Sequence, residues 1–479
     1  RFPHLPEQIF QRLDNDSLAE CREVSNSWQN VIDGKNYPWL CIVNIPAILK
    51  KRNTYFHLAA KTGQIEAFKT ALDEREYLTI NERGETPFHL ACKNDHLKMV
   101  KLVLENLKNT LEVEMLEVLK ETDLENNYIL ENLATFVNAQ TKYGNTALHL
   151  ACVRGFSDVV KILMKDGAVF IDPNARNAYN QTAFLLACQK GHMNVAKIFI
   201  EYASTMSIDL NAKTRKGNTA FHLACKEGHH DVVKMLINKA ATLNIDLNTQ
   251  DKEGFTDFHW ACIRGLPKVV KILMENASAL SIDLNRKVPE TGFTGLHWAC
   301  NEGRTIVVKI IMENAFDLMD KYGLSIDFNT KNAFGMTAFH RACDRGFSEI
   351  VQIFMDNAAT LNIDLQTKNR KGYTPFHLAS QGGRSEVVKI FMENAAALRI
   401  NLNTKNNNGV TALHRACQRG QWDVVNFFMM YASNSYASTL SIDLNAKTKK
   451  GQTPLHLACN SGHSSVVRSI MKNASYLNI

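Results

Sequence analysis

Eight times along this chain a histidine stands three residues before a cysteine, as in His222/Cys225 and His297/Cys300. Both side chains are zinc ligands and both serve nucleophilic catalysis, and residues three apart share a helix face. Zinc needs four converging ligands. Pairs set in stacked units recur instead at intervals of roughly 8–10 Å, so four never meet. A nucleophilic site requires one unusual constellation, whereas here the same histidine comes back ten times. No glycine-rich phosphate loop is present. These residues therefore read as structural, and the expectation is a chain without catalytic residues, metal or cofactor.

The elements that position the pairs are repeats. The phrase Thr86-Pro87-Phe88-His89-Leu90-Ala91-Cys92 returns as TALHLAC at 146, TAFLLAC at 182, TAFHLAC at 219 and TDFHWAC at 256. It continues at 294, 337, 374, 411 and 453, with a weaker TYFHLAA at 54, giving eleven copies at a commonest spacing of 37 residues. Such a period signals stacked supersecondary units. The threonine is a good N-cap, and in three copies proline follows at the first helical position. Glycines two residues before most of the threonines (Gly84, Gly217, Gly254, Gly372, Gly451) suit a tight turn. A glycine nine residues after the threonine ends a short first helix, with Asp95 as the exception. The second helix shows one buried face, for example Val233, Leu236, Ala240 and Leu243.

This pattern resembles the ankyrin repeat, whose signature is T-P-L-H-x-A with a period near 33. The resemblance covers about residues 53–479. It implies an all-α ankyrin solenoid of about eleven helix-turn-helix repeats, in which the histidine hydrogen-bonds between loops and the small residue packs helix against helix. Nine of the eleven cysteines fill that small-residue slot, a use of free thiols that fits a reducing compartment. About four extra residues per unit, in phrases such as NAATLNIDLNTKN at 357–369, amount to one helical turn. The second helix is therefore predicted to run one turn longer, before Ile363 and Leu365 lead into the projecting finger. An acidic insert at about 105–138 reads as an extra helix or a charged excursion. Expansions near 317–325 and 434–439 read as lengthened connections.

Ahead of the repeats lies a different unit. Leu5, Ile9, Phe10 and Leu13 share one helix face, and Ser17 with Glu20 forms a capping box for a second. Together with Val24-Ser25 and Trp28 this resembles an F-box over residues 1–40, followed by a linker at 41–52. The resemblance implies a short three-helix unit that docks onto the small adaptor subunit of a cullin–RING ubiquitin ligase. Leu5, Pro6, Ile9, Leu18 and Val24 would be the contacts. The alternative is a helical cap shielding the first repeat.

Binding is most legible where the copies differ. Between histidine and alanine most units carry leucine, but four carry Trp260, Trp298, Arg341 and Arg415. The residue four further on shares that helix side, giving Arg264, Glu302, Arg345 and Arg419. Tryptophan and arginine are the types enriched in binding hot spots. In the ankyrin family this helix lines the concave face, and basic finger residues (Lys213, Lys368, Arg370, Lys447 among them) flank it. The reading is a groove for an unknown target protein with an acidic segment; the alternative is tolerated variation with solvated loops. Nucleic acid fits less well, since a net charge of +7 is small for 479 residues.

Hydrophobic residues at 45% and charged residues at 22% mark a globular chain, and no apolar run of about 18 residues spans a membrane. The first twenty residues, with Glu7, Asp14, Asp16 and Glu20, do not read as a signal peptide. Cytoplasmic and/or nuclear residence is the expectation. The function expected is that of a non-catalytic scaffold, read further as a ligase substrate receptor, with a plain ankyrin scaffold as the alternative.

Overall fold

A computed structural model describes residues 55–66, 68–69, 79–118, 134–433 and 442–477. The F-box-like unit at 1–40, its five contact residues and the linker at 41–52 lie outside them, as does the expansion at 434–439. The described residues contain helices and turns and no strand. They fall into two compact units, one running up to Ala224 and taking in Met235–Ile245, the other comprising Cys225–Lys234 and the chain from Asp246 on.

Among the described residues, each repeat from the copy at 86 onward is a helix pair whose first helix starts at the threonine. In Gly295–Asn301, Thr294 is extended (φ −91°, ψ 172°), its hydroxyl oxygen accepts the His297 N–H, and the His297 ring closes a capping box. The same cap starts Ala147–Arg154 in the first unit and Ala338–Arg345 in the second. Left-handed Gly155, Gly265, Gly346 and Gly420 stop their helices, as the spacing predicts. Asp95, the exception, takes the same region at φ 62°. All five turn glycines singled out from the sequence also have positive φ.

Within each unit the helices form two layers. In the first, Pro87–Lys93, Ala147–Arg154 and Ala183–Lys190 pack side by side. In the second, a row runs from Asp257–Arg264 through Gly295–Asn301, Ala338–Arg345, Pro375–Gln381 and Ala412–Arg419 to Pro454–Asn460. The longer partners form the other layer. Between the layers of the second unit, phenylalanines interlock: Phe339 meets Phe354 and Phe391 at 5.2 and 5.8 Å, and Phe376 meets Phe391 and Phe428 at 5.0 and 5.7 Å. Rings of this size dominate core energetics, and offset pairs add to area burial.

The predicted longer second helix is present in His230–Leu243, which runs 14 residues, but elsewhere the extra residues behave differently. Pro267–Glu275, Ser348–Asp356 and Ser385–Asn394 stop at nine or ten residues. A separate turn follows, closed by an amide bonding a carbonyl five residues back: Ile282 to Ala277, Ile363 to Ala358, Ile400 to Ala395. The residue before each isoleucine is left-handed (Ser281, Asn362, Arg399), the geometry of a Schellman closure. Ser207 and Asn244 do the same in the first unit, before Ile208 and Ile245.

The reason lies one repeat earlier. Asn329 donates its amide to the Asn362 carbonyl at 2.9 Å and accepts the Asp364 N–H at 2.8 Å. Asn174 clasps Ser207 and Asp209 in the first unit in the same way. The Ile-Asp-Leu-Asn phrases at 208–211 and 245–248 work alike: Ile208, Leu210, Ile245 and Leu247 enter the core, each Asp accepts the N–H of its Asn, and Asn211 and Asn248 donate to the Asn244 and Leu280 carbonyls of the following repeat.

Two expansions also resolve. The 105–138 insert begins as a continuation of the second helix, which runs unbroken over Leu97–Val118. The residues near 317–325 lengthen a helix, Thr305–Tyr322 ending at left-handed Gly323, where a longer connection was expected.

Candidate partner-binding face

The residue types that could do chemistry are held in structural roles. In the unit at 294, the Thr294 N–H points at His297 Nδ1 from 3.3 Å, and Nε2 lies 3.0 Å from the Met336 carbonyl. A carbonyl only accepts, so the proton sits on Nε2 and Nδ1 is the acceptor. Burial in this clamp lowers the histidine pKa to about 4. The rings of His57, His89, His149, His259, His340, His377 and His414 likewise bond between loops, as the resemblance implied. Cys262, Cys300 and Cys343 are buried beside these rings, and burial pushes their thiols above the usual range, Cys417 to about 12. A thiol so far from ionising is a packing group.

All eight partner-binding candidates lie in the second unit. The structure divides them by depth. Trp260, Trp298, Arg341 and Arg415 are half-buried between neighbouring helices, whereas Arg264, Glu302, Arg345 and Arg419 are exposed. The outer four are available to a partner as they stand.

Residues that the sequence reading missed join Trp260, Trp298 and Arg341 into one set and hold Arg415 separately. Phe255 packs on Trp260 at 5.0 Å and on Trp298 at 5.7 Å, and Phe293 packs on Trp298 at 4.9 Å. The Lys226 ammonium sits 3.6 Å from the Trp260 ring centroid, a cation–π contact. Arg341 covers Phe293 at 5.7 Å and Arg415 covers Tyr373 at 5.0 Å. A signal was available: Phe255, Phe293 and Tyr373 share one slot, immediately before the capping threonine.

Polar partners fix the same side chains. The Trp260 indole donates to Asp251 at 3.1 Å. Trp298 has Val288 where Asp251 would stand, and its buried indole N–H has no hydrogen-bond partner among the described residues. Arg341 donates to buried Asn301, which also receives Arg345, and to Asp344 at 3.1 Å. Arg415 donates to Gln381 and Gln418. Burial pulls both inner guanidiniums below their ordinary pKa, with Asp344 opposing the shift at Arg341. The face is thus an aromatic and guanidinium lattice whose exposed rim carries three cations and one carboxylate.

The family match agrees with this architecture. The family described as "Ankyrin repeats (3 copies)" matches residues 37–114, 57–177, 169–251, 241–322, 318–401, 361–439 and 396–479. The human transient receptor potential cation channel subfamily A member 1 is 30% identical over 128 residues, which cover 24% of this chain and 11% of that protein's length. The crystal structure of the ankyrin repeat domain of Bcl-3, a member of the IkappaB protein family, aligns over 54% of this chain and 100% of its own, at 23% identity and a TM-score of 0.42. No helix among the described residues is long and apolar enough to cross a membrane. With matches tiling the chain from residue 37 to its last residue, and the capped helix pairs to go with them, the chain belongs to the ankyrin-repeat family.

Proposed function

We propose that this chain is a substrate receptor of a cullin–RING (SCF-type) ubiquitin ligase. In this reading residues 1–40 dock the small adaptor subunit through Leu5, Pro6, Ile9, Leu18 and Val24, and the repeats capture the target. Ankyrin repeats bind protein partners, and the observation that carries the capture half is positional. One slot of the first helix changes from leucine to Trp260, Trp298, Arg341 and Arg415, with the exposed rim Arg264, Glu302, Arg345 and Arg419 beside it. Three of those four rim charges are positive, which favours an acidic segment of the target. The docking half rests on the order Leu5-Pro6, Val24-Ser25 and Trp28, more than an amphipathic cap requires. The receptor does no chemistry itself; it raises the target's effective concentration beside the conjugating enzyme.

A second reading keeps the capture and drops the ubiquitylation, leaving an ankyrin scaffold that tethers partners. Co-purification separates the two. The receptor reading expects the ligase adaptor to come down with the full chain, and the paired change Leu5→Ala with Pro6→Ala to abolish its capture. A chain that captures targets without the adaptor is a scaffold.

A further inference from the structure

A row of lysines runs along the fingers of the second unit. The Lys287 ammonium donates to the Lys331 carbonyl at 3.0 Å, Lys331 to Lys368 at 3.0 Å, Lys368 to Lys405 at 2.9 Å and Lys405 to Lys447 at 3.3 Å. All five are exposed. An ammonium has three N–H donors, so each bonded lysine is fixed by one and keeps two free. Among the described residues none of the five is in an ion pair. Of the acids near the row, Asp283, Asp327, Asp364 and Asp443 each turn one carboxylate oxygen onto an amide of their own loop, and Glu290 follows Lys287 by three residues. Before Lys405 the acid is replaced by Asn401. Residues 330–336, 367–373, 404–410 and 446–452 together hold eight basic residues and no acid.

The pitch of the row is one repeat, roughly the 8–10 Å at which neighbouring helices pack. A polyproline II chain presents the same face every third residue, at about 3.1 Å per residue or roughly 9 Å. Same-face residues of a β-strand fall at about 7 Å, out of step. An α-helix reaches the pitch only every seventh residue. Single-stranded nucleic acid needs an aromatic platform at successive steps. Among those four fingers only Phe334 offers a large exposed one.

We propose that the lysine row from Lys287 to Lys447 binds an extended acidic peptide segment carrying a carboxylate at every third residue, one over each ammonium. This rests on the reading that the array captures an acidic target, and it places the recognition on the finger edge. Hydrogen bonds from one repeat to the next hold four of the five cations, Lys287 to Lys405, in register before the peptide arrives, so little side-chain freedom is lost there on binding.

The test is fluorescence anisotropy of the full chain with two labelled peptides of equal composition, five Glu-Pro-Pro triplets and the same residues with all five glutamates in one block, alongside a fifteen-residue oligo-dT. The spaced peptide is expected to bind at least tenfold tighter than the block. Changing Lys331, Lys368 and Lys405 together to Gln should weaken it at least tenfold with an unaltered melting curve. If the triple variant melts early, Lys368→Gln alone, expected to weaken binding two- to threefold, carries the test. Equal affinity for the two peptides, undiminished binding by the lysine variants, or tighter binding of oligo-dT overturns the proposal. Loss of acidic-peptide binding on Arg345→Glu and Arg419→Glu, with the lysine variants unaffected, overturns the row while leaving acidic capture by the array standing.

Discussion

His297 Nε2 lies 3.0 Å from the carbonyl oxygen of Met336, in the finger of the following repeat, while its other ring nitrogen faces the N–H of Thr294. One neutral ring thus caps its own helix and ties down the next unit. The same bridge joins His259 to Phe293, His340 to Tyr373, His377 to Val410 and His414 to Gln452. Removing one ring strands a donor and an acceptor together. His297→Ala is expected to cost about 2 kcal/mol, the scale for buried groups left unpaired, read as a drop in the urea midpoint.

The same bridges set the pH dependence. Burial holds His259, His297, His340 and His377 at a pKa of about 4, against 6.5 for the free side chain. Between those values the unfolded chain binds protons that the folded chain refuses, so stability rises with pH across the interval. The contribution is complete above 6.5 and is lost progressively as pH falls toward 4. A urea midpoint markedly lower at pH 5 than at pH 7.5 is expected, with His297→Ala narrowing the difference by its own share. A flat profile in the parent chain contradicts the neutral-ring assignment.

The asparagine clasp makes a separate prediction. Asn329→Ala removes both its bond to the Asn362 carbonyl and its hold on the Asp364 N–H. A loss of about 1–2 kcal/mol is expected, with faster amide hydrogen exchange at Asp364 and no change at the distant Thr294 cap. Asn362 itself is left-handed at φ 50°. Asn362→Val should therefore destabilise, while Asn362→Gly should be near neutral.

Turn strain and steric contact can be separated by a pair of glycines. Gly335 and Gly451 have almost the same φ, 75° and 73°. A β-carbon at Gly335 would lie 2.7 Å from the Arg370 backbone nitrogen, whereas one at Gly451 meets nothing within 4 Å. Gly451→Ala should cost about 1–2 kcal/mol, the price of the left-handed region, and Gly335→Ala clearly more. Equal losses by calorimetry contradict the close approach of neighbouring fingers.

Much of this was legible in the sequence because repetition averages out noise. Eleven copies of one phrase expose the cap, the stop and the turn glycines without any alignment. The clasp was not legible, although Ile-Asp-Leu-Asn recurs as plainly as the cap. Its partners sit about 35 residues on, and sequence spacing does not say that an asparagine reaches into the next unit. Four extra residues therefore read as a longer helix, which holds for His230–Leu243, whereas after Pro267–Glu275, Ser348–Asp356 and Ser385–Asn394 the chain winds a separate turn gripped from behind. The same blindness affected the binding face. Trp260, Trp298 and Arg341 could be picked out as unusual, but their depth depends on Phe255, Phe293 and Asn301, which come from the packing of one repeat on another.

That depth changes what charge reversal does. From sequence, Arg341, Arg345, Arg415 and Arg419 form one set whose reversal weakens a partner without touching the fold. In the structure the set divides. Arg345 and Arg419 are exposed, so Arg345→Glu with Arg419→Glu should weaken capture of an acidic partner at least several-fold while melting stays unchanged. Arg341 is held between Phe293, buried Asn301 and Asp344. Arg341→Glu sets a carboxylate beside Asp344 and leaves Asn301 with less of its bonding, a combination expected to cost about 2 kcal/mol or more before any partner is added. Arg341→Met keeps the stem over the ring and drops the charge, so it should lose less stability than the glutamate. Melting curves of the three variants decide the matter. If Arg341→Glu melts like the parent chain, the guanidinium does not hold the lattice, and the arginines return to a single binding set.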